Sequence, residues 1–77
     1  MENVRHILAS ALRIKETDIT ENTELKDIKT WDSLTHMEMI ADLETSFNIE
    51  FDVDEITQMT NVKTIEDIVA GKLSHGN

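Results

Sequence analysis

The 77-residue chain has no cysteine and no proline, only two glycines, and three aromatic residues, Trp31, Phe47 and Phe51. Each shortage excludes something. Without cysteine there is no disulfide framework and no thiolate metal site. Without proline, and with Gly71 and Gly76 both near the end, no backbone breaker interrupts the patterns before them. No apolar run approaches transmembrane length, and "MENVRHILAS" lacks the charged-then-apolar order of a secretory leader. The expectation is a soluble, cytoplasmic, single domain over residues 1–77. Its core is too small to wall a deep active site.

Positive charge is scarce too. Seven Lys and Arg stand against sixteen Asp and Glu, a net charge of −9. Such a field repels nucleic acid, whose binders need a basic footprint; neither a nucleic acid nor a membrane is expected as partner. The distribution is sharper than the total. Between Thr30 and Val62 there is no Lys or Arg, but there are Asp32, Glu38, Asp42, Glu44, Glu50, Asp52, Asp54 and Glu55. That run fits fast, salt-sensitive association with a basic patch. It equally fits a merely solubilising surface, and the two readings stand level until a partner is known.

What is present is helical periodicity. Over residues 2–15, Val4, Ile7, Leu8, Ala11 and Leu12 recur as one apolar stripe. "ETDITENTELKDIKTW" follows as a long polar connection pinned by Ile19, Leu25 and Ile28, with room for one short turn around 23–27. A second helix is expected from Ser33 to about Phe47, capped by Asp32. Trp31 and His36 have the spacing of a staple across that cap, which outweighs a role for His36 as a polar group near bound cargo. A short third helix is expected over 53–59, with Asp52 as cap and Glu55 at the capping-box position. A fourth carries Ile65, Ile68, Val69 and Leu73, with Thr64 and Asp67 at capping-box spacing, and "SHGN", 74–77, forms a frayed tail. The fold class is therefore all-α, a small four-helix bundle with three main helices and a short third one.

The second helix has more apolar residues than one core stripe needs. Met39, Ile40, Leu43 and Phe47 make a sufficient core face. Leu34, Met37 and Ala41 lie about 100° to 160° away around the helix and are edged by Glu38 and Asp42. An apolar strip with an acidic margin reads as a docking surface, against the alternative that Leu34 and Met37 pack beneath the long loop. Ser33 begins this helix. There its hydroxyl is an ordinary helix-start group, a nucleophile, or an attachment point at an end that favours phosphate.

"WDSL" opening an acidic, Met- and Leu-rich helix resembles the acyl carrier proteins. "VRHILASAL" is similar to their first helix, "DITENTELKDI" to their first loop and "TNVKTIEDIVAGKL" to their last loop and helix, so the likeness covers nearly the whole chain. The resemblance implies a bundle with no catalysis of its own. It implies a 4′-phosphopantetheine taken from coenzyme A and attached at Ser33 by a phosphopantetheinyl transferase, with Asp32 capping the helix beside it. It further implies Leu34, Met37, Glu38, Ala41, Asp42 and Phe51 as the groups met by acyl-loading and acyl-processing enzymes with basic patches, and a monomeric carrier. "KTW" stands where fatty acid carriers commonly have glycine before Asp-Ser-Leu, and "WDSLTH" is closer to carriers of specialised pathways. Cargo stays open among fatty acyl, polyketide, hydroxyacyl and aminoacyl groups, and Met37, Met39 and Met59 are either adaptable cargo contacts or core fill.

Rival chemistries fit poorly. Ser33, His36 and Asp32 lack a nucleophile elbow and an oxyanion hole. "DVDEITQMTNVK" puts Thr57 and Lys63 where a calcium loop needs glycine and a bidentate glutamate. The three histidines lack zinc spacing. The remaining alternative is an acidic helical interaction module without a prosthetic group.

Overall fold

The computed structural model describes residues 3–75. Among them the chain forms α1 (Val4–Leu12), α2 (Ser33–Phe47), α3 (Val53–Gln58) and α4 (Val62–His75), with 3₁₀ turns at Glu16–Asp18 and Leu25–Asp27 in the first loop. This is the expected all-α bundle. Its core is formed by Leu8 and Leu12 of α1, Met39 and Leu43 of α2, and Val62, Ile65 and Val69 of α4, closed by Ile19, Leu25 and Met59 from the connections.

The helix ends explain where the elements stop. Asn3 caps α1, its side chain accepting the His6 N–H at 2.8 Å. The helix stops at Leu12, short of the expected residue 15, because Arg13 turns left-handed (φ 61°) and the Ile14 N–H closes back on the Ala9 carbonyl at 3.0 Å. α2 ends the same way: Asn48 is left-handed (φ 56°) and the Ile49 N–H reaches the Glu44 carbonyl at 3.1 Å. In both closures the isoleucine after the left-handed residue packs on the core, the apolar contact that accompanies such caps. Ile14 thus continues the apolar pattern without continuing the helix.

α4 starts earlier than expected. Asn61, not Thr64, is the cap, its side-chain oxygen accepting the Thr64 N–H at 2.8 Å. At its other end α4 runs on through Ser74 and His75, two residues into the segment expected to be a tail; 76–77 lie outside the described residues. The long first loop is laced to the connection before α4. Leu25 N–H donates to Thr60, Val62 N–H to Thr23 and Lys63 N–H to Glu21, at 3.0, 3.0 and 3.2 Å, around an isolated bridge between Glu24 and Asn61. Backbone groups of an otherwise irregular loop are satisfied in this way.

Candidate functional site

The turn into α2 is tied at both ends. Before it, the Thr30 hydroxyl donates to the Leu12 carbonyl, one of the unpaired acceptors at the end of α1. After it, Asp32 and Thr35 form a reciprocal capping box: Thr35 N–H donates to the Asp32 carboxylate at 2.9 Å, and Asp32 N–H donates to the Thr35 hydroxyl at 2.8 Å. The Thr35 backbone N–H is the main cause that holds the Asp32 carboxyl below its ordinary range, with the Thr35 hydroxyl adding to it. None of these bonds uses the Ser33 hydroxyl. Ser33 is exposed, the first residue of a 15-residue helix whose unpaired N–H groups and dipole favour a phosphate.

Trp31 and His36 meet across this turn, edge to face at 5.9 Å between ring centroids. The contact is polar rather than the simple apolar staple expected: Trp31 Nε1–H donates to His36 Nδ1 at 3.1 Å. Because indole only donates, Nδ1 of this ring is an acceptor, and the neutral ring carries its proton on Nε2. Nε2 lies 3.2 Å from the Ile56 carbonyl in the last turn of α3, so His36 donates there.

The two faces of α2 divide as their spacing predicts. Met39, Ile40 and Leu43 are buried, whereas Leu34 is 69 % and Met37 50 % exposed, with Glu38, Ala41 and Asp42 exposed beside them. Met39 and Met59 are therefore core fill. Phe51 requires a correction. Only 9 % exposed, its ring belongs to the core and presents no apolar face to a partner. Its backbone N–H is held by the Glu44 carboxylate at 2.9 Å, which fixes how the chain enters α3, and the Lys72 ammonium sits 5.9 Å from the ring centre. Glu44 is thus occupied inside the fold. Lys72 also pairs with Glu55 at 2.7 Å, and this is the first cause holding the Glu55 carboxyl below its ordinary range. Two exposed apolar groups escaped sequence reasoning: Val53, 76 % exposed at the start of α3, and Leu73, expected on the apolar stripe of α4 but exposed near its end. Among the described residues no helix is long and apolar enough to cross a membrane, and no cluster of His, Asp and Glu is arranged to hold a metal.

A family model described as a phosphopantetheine attachment site matches residues 2–70. An acyl carrier protein of Exiguobacterium sibiricum is 35% identical over 68 residues, covering 88% of this chain and 82% of that protein. The chain belongs to the acyl carrier protein family. The carrier is also 28% identical over 69 residues to polyketide-8 synthase acyl carrier protein 1 of Streptomyces avermitilis, covering 90% of this chain and 82% of that one. Its fold superposes on the solution structure of a holo acyl carrier protein from Geobacter metallireducens with a TM-score of 0.85, at 32% identity, over 95% of this chain and 84% of that one. Membership makes the chain a carrier rather than a catalyst, with a covalently attached 4′-phosphopantetheine as cofactor. It works with a phosphopantetheinyl transferase and with biosynthetic enzymes, as carriers of the family do. The start of α2 fits that group: an accessible hydroxyl stands at a helix end that favours its phosphate.

Proposed function

We propose that Ser33 is the attachment point, and that this carrier holds acyl intermediates as thioesters and delivers them to the enzymes of a specialised biosynthetic pathway. The observation that carries the reading is the Ser33 hydroxyl itself, exposed at the start of α2 and directly beside the exposed Leu34 and Met37. The Ser33 oxygen bonds to the pantetheine-side phosphorus of coenzyme A as the pyrophosphate bond at that phosphorus breaks; adenosine 3′,5′-bisphosphate leaves, and the hydroxyl proton goes to a base of the transferase. Asp32 keeps its carboxylate engaged in the cap, so the helix start stays formed while the neighbouring hydroxyl is free to react. When bound, the prosthetic group supplies the thiol nucleophile that a cysteine-free chain lacks.

Leu34, Met37 and Ala41 give partner enzymes an apolar strip, and Glu38 and Asp42 meet Lys and Arg on those enzymes. Contacts of this kind are screened by salt and weak enough to release, which suits a carrier that visits several enzymes in turn. A net charge of −9 disfavours self-association, and the carrier is read as a monomer. The specialised pathway is supported by "KTW" before Asp-Ser-Leu and by "WDSLTH". The test is intact-protein mass after incubation with coenzyme A, Mg²⁺ and a broad-specificity phosphopantetheinyl transferase. Wild type gains one phosphopantetheine and Ser33→Ala gains none. No gain on wild type, with a known carrier labelled in parallel, would sink the assignment in favour of an acidic interaction module.

A further inference from the structure

α3 has six residues, too few to hold a helix by itself, so its placement depends on ties to its neighbours. One tie runs to the last turn of α2, where Glu44 holds the Phe51 N–H. A second runs to α4, where Lys72 holds Glu55. The third is His36, three residues after Ser33, which takes the Trp31 N–H on one ring nitrogen and donates to the Ile56 carbonyl from the other. Only this third tie passes through the first turn of α2. Exposed apolar groups stand close by in the chain: Leu34 and Met37 follow Ser33 on α2, and Val53 lies one turn before Ile56 on α3.

We infer that His36, oriented by Trp31, is a positioning residue that sets α3 against the start of α2, and that the phosphopantetheinyl transferase engages the surface which this placement shapes beside Ser33. The inference rests on the reading of Ser33 as the attachment point. His36 touches no reacting atom. It acts on recognition and leaves the chemistry at Ser33 alone.

Three variants separate the parts of the bridge. His36→Phe removes both hydrogen bonds and keeps a ring. His36→Gln keeps a donor near the place of Nε2. Trp31→Phe removes the indole donor alone. Modification of Ser33 by the transferase is measured for each, with KM and kcat resolved, and ¹H–¹⁵N spectra follow the indole N–H of wild type and the α3 amides of all four proteins. The expected result is that His36→Phe raises KM about three- to tenfold with kcat within about twofold, and that His36→Gln recovers most of the loss. Trp31→Phe is expected to shift the amides of Ile56 and its α3 neighbours although it touches none of them. Equal KM in wild type and His36→Phe, or amide shifts confined to residues near 31–36, would overturn the inference. If wild type is not modified at all, the Ser33 assignment fails instead, and the α3 amides alone decide whether His36 sets the helix.

Discussion

Met37 and Met39 stand two positions apart on α2, about 200° around its axis, and their fates should differ accordingly. Met39 is fully buried and Met37 half exposed. Met39→Ala deletes most of a packed side chain and leaves a cavity among Leu8, Leu43 and their neighbours, a change that costs about 2–5 kcal/mol. A domain of this length is held by roughly 4–12 kcal/mol in all, so the variant loses a large share of its margin or the whole of it. At about 4–8 °C per kcal/mol the thermal midpoint falls by at least ~8 °C. Met37→Ala removes a side chain that already meets water and shifts stability by no more than about 0.5 kcal/mol, roughly 2–4 °C. Met39→Leu, which nearly conserves volume, should cost less than about 1.5 kcal/mol. The assay is thermal unfolding followed by far-UV circular dichroism at neutral pH, paired with the KM for Ser33 modification. There Met37→Ala should weaken recognition while Met39→Leu should not. Equal midpoint losses in the two alanine variants, or a Met39→Leu as unstable as Met39→Ala, would show that the division of α2 into a core face and a docking face is mistaken.

Asn61→Ala removes the cap of α4 and should cost about 1 kcal/mol; amide hydrogen exchange should quicken at Val62, Lys63 and Leu25 together, and acceleration limited to α4 would mean that the loop lacing is independent of the cap. Acid should weaken the fold at Asp32 and Glu55. Both carboxyls are depressed in the folded chain, so the unfolded chain binds more protons as pH falls; their stabilisation is present above the ordinary values of 3.8 and 4.5 and is lost as pH drops below them. Urea midpoints measured from neutral pH down to about pH 3 check this, and in an Asp32→Asn variant the acid-side slope should be shallower than in wild type.

Local patterns in the sequence located α2 and α3 well, for physical reasons that apply within a few residues. Asp32 before an apolar period, and Asp52 three residues ahead of Glu55, are capping chemistry that needs no tertiary information. The same chemistry was available but ambiguous at α4: Asn61 stands three before Thr64 as Asp32 stands three before Thr35, yet Thr64 and Asp67 have an equally good spacing. What decides is the bridge to Glu24, a contact with the distant first loop. The end of α1 was overrun because Ile14 keeps the apolar period, and no glycine marks the left-handed turn that Arg13 makes. At the candidate site, the exposure of Ser33, Leu34 and Met37 follows from the helical repeat. The burial of Phe51 does not, because it depends on Glu44 catching the chain seven residues back. The partner of His36 was likewise out of reach, since the Ile56 carbonyl belongs to another helix.

The lacing of the first loop to the segment ahead of α4 sets an order of assembly. Glu21, Thr23 and Leu25 are joined to Lys63, Val62 and Thr60, across the whole of α2 and α3. During synthesis α1 and the loop leave the ribosome first and must wait with Ile19 and Leu25 uncovered until the last third of the chain emerges. The two segments are therefore expected to settle together, and a change that loosens the Glu24–Asn61 bridge should uncover Ile19 and Leu25 as well as the start of α4.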